Sequence, residues 1–252
     1  YQMQDMTSSI CSAVEADESE LQVIDNRDNK VYWIAKLADG NCWMTQNLDH
    51  NIRTDTNFYT YANTDIGHGS TPNTSATWTA SALTHSSNDN EWDTTTVGYT
   101  TLESYDAGEY CFNPNSGAIE SGCTDYHYHV GNYYNFSAAV AMNTTLNSAV
   151  TYDQSICPAG WKLPSTSNYL NLIDGVYTAG QSGNIHLAPV YFVYGSAYAG
   201  MMGGLASGEY ATPRATAQNT YILHFDSYGN LWYDYAPTIN RGSGISVRCI
   251  AR

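Results

Sequence analysis

Positive charge is the scarcest property of this sequence. Nine Lys and Arg residues stand against 24 Asp and Glu, which gives a formal net charge of −15. No Lys or Arg occurs between Arg53 and Lys162. Nucleic acids and anionic membranes would therefore be repelled by the chain. We expect no nucleic-acid partner, whereas neutral glycans, basic proteins and cations remain possible.

Long apolar runs are also rare. The stretch 187–206 is largely apolar, but it contains Pro189, four glycines and the tyrosines 191, 194 and 198. A membrane-spanning helix needs about 20 predominantly apolar residues, which this composition interrupts. We expect no membrane span. The chain starts at Tyr1 without a basic and then apolar leader, which indicates a mature secreted protein whose signal peptide has been removed.

Catalytic motifs are missing as well. The sequence contains no Gly-x-Ser-x-Gly elbow, no His-Glu-x-x-His pair and no phosphate loop. We therefore predict a non-enzymatic protein without an organic cofactor. Asp89, Glu91 and Asp93 offer hard oxygen ligands for a structural calcium ion, although the EF-hand glycine and spacing are absent. The alternative interpretation of these residues is a solvated acidic loop.

No Cys-x-x-Cys pair occurs, which argues against zinc and thioredoxin-like sites. An even number of widely spaced cysteines indicates disulfides and an oxidising compartment, the alternative being buried thiols. The count alone leaves the pairing open. The six cysteines are Cys11, Cys42, Cys111, Cys123, Cys157 and Cys249.

Strand patterns occupy both ends of the chain, and helical patterns lie between them. Strands are predicted at 21–24, 31–37 and 41–46, with a hairpin turn at Asp39-Gly40, and again at 221–225, 230–234 and 245–250. Helices are predicted at 133–142 and from a cap at Ser165 or Thr166 through Val176. The sum predicts an α+β fold.

The domain organisation follows from composition. Residues 1–20 are interpreted as a polar N-terminal arm, and 21–252 as a single domain. Within that domain the stretch 51–110 is rich in Thr, Ser and Asn, which indicates a long loop-rich insertion.

Five motifs occur in an order that resembles one known family. They are Asp25-x-Arg27-Asp28-x-Lys30-x-Tyr32, Trp43-Met44-x-x-Asn47-Leu48, Tyr133-Tyr134-Asn135-Phe136, Cys157-Pro158-x-Gly160-Trp161-x-Leu163-Pro164-Ser165 and Ser246-Val247-Arg248-Cys249. Together they are similar to the Fibrobacter succinogenes major paralogous domain. The pattern of that family also resembles the fold shared by C-type lectins and formylglycine-generating enzymes.

This resemblance implies a compact, lectin-like α+β domain whose N- and C-terminal strands pair. It also implies the disulfides Cys11–Cys42, Cys111–Cys123 and Cys157–Cys249. Members of the family are mainly secreted or surface-exposed, and no common activity follows from membership. The calcium-dependent sugar signatures of lectins and the reactive thiols of the enzymes are not transferable to this sequence.

Two groups of residues are candidate sites. Asp125, His127 and His129 alternate, so that on a strand both imidazoles would face one metal ion. The alternative is a set of polar neighbours in an aromatic loop. The sequence also has 22 tyrosines, which suit glycan stacking or protein interfaces as well as a core. The aromatic binding candidates are Trp78, Trp92, Tyr126, Tyr128 and Tyr133.

Two functions fit these observations. The first is a structural subunit of an extracellular fibre or layer that self-assembles, with Tyr1, Met3 and Met6 in an arm that a neighbouring copy receives as an added strand. The alternative is an adhesin or glycan-binding, lectin-like module whose partners are glycans or host surface proteins. Both place the protein outside the cell, on the bacterial surface.

Overall fold

A computed structural model describes the elements that form the core and leaves several stretches undescribed. The described residues are 1–14, 20–50, 104–106, 110–116, 118–122, 124–141, 150–151, 155–178, 190–192, 196–198, 201–203, 207–215, 219–226, 238–240 and 244–252. Most of the predicted insertion lies outside these ranges. So do Trp78, Trp92, Cys123, the possible calcium ligands Asp89, Glu91 and Asp93, and the predicted strand 230–234.

The described chain contains a few short helices and many short strands. The α-helices are α1 (Ser8–Ala13), α2 (Phe136–Ala139) and α3 (Thr166–Thr178), and short 3-10 helices span Met3–Asp5 and Tyr126–Tyr128. The strands of the N-terminal half are β1 (Leu21–Ile24), β2 (Val31–Lys36), β3 (Cys42–Met44), β4 (Ser104–Asp106), β5 (Tyr110–Phe112), β6 (Ile119–Ser121) and β7 (Asn132–Tyr134). Those of the C-terminal half are β8 (Val150–Thr151), β9 (Trp161–Lys162), β10 (Ser196–Tyr198), β11 (Met201–Gly203), β12 (Ser207–Ala215), β13 (Asn219–Asp226), β14 (Thr238–Asn240), β15 (Ile245–Ser246) and β16 (Ile250–Ala251).

The first sheet joins the two ends of the chain. Its strand order is β1-β2-β3-β16-β9. β1 and β2 form an antiparallel hairpin, and Ile250 of β16 lies opposite Trp43 of β3. The expected pairing of N- and C-terminal strands is therefore present.

The second sheet is larger and mixed in direction. It runs β14-β13-β12-β15-β7-β4, with β8 beside β12. β12 and β13 form an antiparallel hairpin whose register shifts between Ala211 and Ala215, next to Pro213, which has no N–H to donate to a ladder. With helices beside these antiparallel strands, the α+β class is confirmed.

One predicted strand, 245–250, is two strands in the structure. β15 pairs in the second sheet with Tyr133 and Tyr134, whereas β16 belongs to the first. Between them Val247 and Cys249 direct their carbonyls to the amides of Leu48 and Met44. The final segment therefore connects the two sheets.

The predicted helix 133–142 is wrong in its first half. Tyr133 and Tyr134 belong to β7, where they pair with both β15 and β4. The helix starts only at Phe136, after the side chain of Asn135 accepts a hydrogen bond from the Ala138 amide at 2.9 Å. Sheet pairing keeps Tyr133 and Tyr134 out of the helix, which also ends earlier than predicted, at Ala139.

The N-terminal segment packs onto its own domain, which corrects its interpretation as an arm. Met3 and Met6 are buried in the core, and the Trp161 indole donates a 2.8 Å hydrogen bond to the Met3 carbonyl. Gly160 has a φ of +82°, and a Cβ there would lie 2.6 Å from the Met6 carbonyl oxygen. A glycine at this position permits both that backbone and the close approach of the segment.

Disulfides fix the same region. Cys11 bonds to Cys42 with a Cα–Cα distance of 5.7 Å, and Cys157 bonds to Cys249 at 5.8 Å. Both pairings match those implied by the resemblance. Cys111 is also disulfide-bonded. Within the described residues, no helix is long and apolar enough to cross a membrane.

Candidate binding groove

The outer face of the β1–β2 hairpin forms one wall of a groove. Val23 and Tyr32 are buried beneath the hairpin, so their alternating neighbours point outward. Gln22 lies opposite Trp33 in the pairing register. The same face of the hairpin therefore presents a half-buried indole beside an exposed amide.

The 3-10 helix Tyr126–Tyr128 carries the second wall. Its start is capped by Asp125, whose Oδ1 accepts a hydrogen bond from the His127 amide at 3.0 Å. Tyr126 is 65% exposed, and its ring lies 5.0 Å from the ring of His129. An exposed aromatic side chain is thus held by a neighbouring ring.

The loop after β3 forms the remainder of the groove, which has a volume of about 500 Å³. This volume is within the usual range for ligand sites, about 300–1,000 Å³. The lining residues are Gln22, Lys30, Val31, Tyr32, Trp33, Gln46, Asn47, Asp49, Tyr126 and His129. We call this site the hairpin groove.

The two charged residues of the hairpin groove neutralise each other. Lys30 Nζ lies 2.5 Å from Asp49 Oδ2 and also donates to the Asp49 carbonyl. Burial lowers the pKa of His129 despite the nearby Asp125, so this imidazole is neutral at pH 7. The site consequently presents polar groups with little net charge.

His127 fastens the second wall to the start of the first sheet. Its Nδ1 lies 2.8 Å from Asp125 Oδ1, and its Nε2 lies 2.9 Å from Glu20 Oε2. Burial alone would lower the pKa of His127, but its hydrogen bonds to these two carboxylates outweigh burial and raise it. The ring also stacks on Tyr191 at a centroid distance of 4.3 Å.

Arg248 is fully buried and supports the loop after β3 directly and the second wall through Tyr191. It donates a 2.8 Å hydrogen bond to Asn47 Oδ1 in the groove and a 2.9 Å hydrogen bond to the Tyr191 carbonyl. It also donates to the Val190 carbonyl and lies over the ring of Phe192. The position and packing of Arg248 make it a structural support of the groove.

The predicted metal site at Asp125, His127 and His129 is wrong. Residues 126–128 form a 3-10 helix rather than a strand, so the two imidazoles do not share a face. Both nitrogens of His127 already bond carboxylates, and His129 packs against Tyr126. The described part of the chain does not bring these three residues together as a ligand set.

A different acidic cluster, Asp25, Asp28 and His50, has ligand atoms close enough to share an ion. Its members are engaged elsewhere, because Arg27 donates to both oxygens of Asp25 and His50 Nδ1 lies 3.0 Å from Asp28 Oδ2. Burial alone would raise the pKa of Asp25, but the charge and the hydrogen bonds of Arg27, together with nearby His50, outweigh burial and lower it. This cluster fastens the hairpin turn rather than forming an open site.

The sequence-based aromatic candidates have different environments. Tyr126 lines the groove, Tyr128 is half-buried with its ring 6.5 Å from that of Phe112, and Tyr133 is fully buried in the core. The prediction that Tyr133 is a binding residue is therefore wrong. Trp33 and Gln46 were not predicted as site residues, although the alternation in β2 places Trp33 outward.

The comparisons with known proteins give no relative. No protein-family model, no curated protein and no solved structure matches this chain.

Proposed function

We propose that this protein is a non-enzymatic bacterial surface protein that binds an extracellular partner through the hairpin groove, as an adhesin does. The observation that carries the proposal is a preformed groove in which aromatic side chains and uncharged polar groups converge. Lys30 and Asp49 form an ion pair with each other, so the groove presents little net charge, which suits recognition of an uncharged partner.

The disulfides support a location outside the cell. Two disulfides close loops of the core, Cys111 is bonded as well, and no cysteine of the described residues is free. Such bonds persist in oxidising compartments. The resemblance to the Fibrobacter succinogenes major paralogous domain, whose members are mainly secreted or surface-exposed, supports the same location.

An adhesion assay that does not require the ligand to be known tests this function. The full chain is added to host epithelial cells, immobilised matrix proteins and insoluble polysaccharides, and the bound fraction is measured. The unmodified chain should bind at least one of these surfaces, and the fraction bound to that surface should be at least ten-fold lower for Tyr126→Ala. The matched control is Tyr1→Ala, because Tyr1 is 77% exposed and does not line the groove. Equal binding by all three proteins would contradict the proposal.

Self-assembly is the second candidate, and one surface favours it. Tyr1, Ile24 and Val31 are all exposed, Ile24 lies opposite Val31, and the Ile24 amide donates to the Tyr1 carbonyl. These three residues form an apolar strip at the edge of the first sheet. Exposed apolar strips and strand edges are common sites of association.

Light scattering and negative-stain microscopy of the native protein test self-assembly. If the strip mediates assembly, filaments or sheets seen for the native chain should be absent for Ile24→Lys and present for Tyr126→Ala. A monodisperse monomer at every concentration would exclude this function and leave the adhesin proposal intact.

A further inference from the structure

The polar groups of the hairpin groove that lack a protein partner identify its ligand class. Gln46 is only 6% exposed, and its Oε1 accepts a hydrogen bond from the Trp33 amide at 3.2 Å. Its amide nitrogen donates to no residue that the structure describes. Because Gln46 lines the groove, this amide can donate a hydrogen bond to a ligand there.

Four further lining side chains also have polar atoms that can bond a ligand. Within the described ranges, no hydrogen bond joins these side-chain atoms to protein, and burial lowers the pKa of His129, so its imidazole is neutral at pH 7. The four side chains are Gln22, Trp33, Tyr126 and His129. With Gln46, they give the groove amide, indole, phenol and imidazole groups that hydroxyl groups can bond.

The arrangement of apolar surface points in the same direction. Trp33 and Tyr126 place aromatic surface on opposite walls, and Val31 adds exposed aliphatic surface. Pyranose rings present C–H faces and a rim of hydroxyl groups, so they match aromatic walls lined with neutral hydrogen-bonding groups.

Charge decides between neutral and ionic ligands. Lys30 and Asp49 are bonded to each other, so neither offers an uncompensated charge to a ligand. The chain as a whole carries a net charge of −15, which repels polyanions. A cationic peptide would find the groove carboxylate already paired with Lys30.

We propose that the hairpin groove binds a neutral glycan chain, with sugar faces against Trp33 and Tyr126 and hydroxyl groups bonded to Gln46 and its uncharged neighbours. This assignment rests on the proposed function, since it names the ligand of the same groove. The site is formed by the hairpin, the loop after β3 and the 3-10 helix.

Calorimetric titration of the full chain tests the assignment. The probes are cellohexaose, xylohexaose, mannohexaose and the anionic hexagalacturonate. At least one neutral oligosaccharide should bind, and at least ten-fold more tightly than the anionic one. Tyr126→Ala and Gln46→Ala should each weaken that binding at least ten-fold, whereas Tyr1→Ala should leave it unchanged.

Since Gln46 is buried, thermal unfolding of Gln46→Ala must show a folded protein, and the exposed Tyr126→Ala provides an independent test. Preference for the anionic probe, binding insensitive to both variants, or no binding of any neutral probe would each overturn the assignment. If matrix proteins nevertheless bind in a Tyr126-dependent way, the adhesin function stands and only the ligand class is wrong.

Discussion

Individual residues behind the groove determine how rigid it is. Arg248 links Asn47 in the groove to the backbone of residues 190 and 191, and Tyr191 in turn stacks on His127. These contacts preorganise the loop after β3 and the second wall, which reduces the entropy lost on binding.

Replacement of Arg248 should therefore destabilise the protein. Arg248→Met removes hydrogen bonds to Asn47 and to two buried carbonyls, and unsatisfied buried polar groups cost about 1–3 kcal/mol each. We expect the free energy of unfolding in urea to fall by about 3 kcal/mol or more. Arg214 is exposed, so Arg214→Met should change it by less than about 0.5 kcal/mol. Equal effects would refute the supporting role.

His127 makes stability depend on pH. Its folded-state pKa is raised, so its contribution is complete below the unfolded value of about 6.5 and is lost as pH rises through the folded value. Urea unfolding measures the free energy of unfolding of wild type and of His127→Phe. We expect the difference between these two free energies to shrink from pH 6 to pH 9.

His129 provides a control of opposite sign. Burial lowers its pKa, so it opposes folding as pH falls below about 6.5. The free energy of unfolding of His129→Phe should therefore diverge from that of wild type as pH falls below about 6.5.

The contradicting result for His127 is a free energy of unfolding that varies with pH in the same way in wild type and in His127→Phe. That result would show that the bonds of His127 to Glu20 and Asp125 do not contribute to stability.

At the scale of elements, the first sheet depends on cross-links that join its strands to distant segments. Cys11–Cys42 closes 31 residues and fixes α1 to β3, while Cys157–Cys249 closes 92 residues and fixes the approach to β9 beside β16. The entropy removed from the unfolded chain grows with loop length.

Removal of the disulfide that closes the longer loop should therefore lower the free energy of unfolding more. From loop entropy, we expect Cys157→Ala with Cys249→Ala to cost about 4.5 kcal/mol, and Cys11→Ala with Cys42→Ala about 3.5 kcal/mol. Calorimetric unfolding of the two double variants measures the difference. A larger loss for the Cys11–Cys42 pair would show that local packing, rather than chain entropy, controls these bonds.

Local elements were predictable from sequence wherever the local signal was strong. The strand patterns at 21–24, 31–37 and 41–46 predicted β1 to β3, with the Asp39-Gly40 turn between the last two, and the cap at Ser165 or Thr166 predicted α3. The strand β12 has no clear signal in the sequence because Pro213 disfavours a strand, and the helix prediction fails at Tyr133 because the β pairing of this residue is non-local. The groove combines residues near positions 22, 33, 46 and 126, so no short motif could reveal it.

At the scale of the whole molecule, the N-terminal segment belongs to the core of its own chain. Gln4 Nε2 donates to Asp25 Oδ1 at 2.7 Å, and the backbone of Gln2 forms a parallel bridge with Ile24. A neighbouring copy could receive this segment only after Met3 and Met6 had left their buried positions. Exchange of the segment would therefore start from a destabilised chain.

Met3→Ala should lower the free energy of unfolding by about 2–4 kcal/mol, as other truncations of buried methionines do. The loss should be independent of protein concentration, because Met3 is buried within one chain. Tyr1→Ala, at an exposed position, should change stability by less than about 0.5 kcal/mol. A loss for Met3→Ala that grows on dilution would indicate that a second copy covers Met3.

The most direct test of the hairpin groove as the binding site is amide chemical-shift mapping of the full chain during titration with a partner identified by the adhesion assay. We predict that the largest changes occur at residues 22, 30–33, 46–49 and 126–129. Changes confined to Tyr1 and Ile24, which do not line the groove, or to other faces of the two sheets, would contradict the proposal.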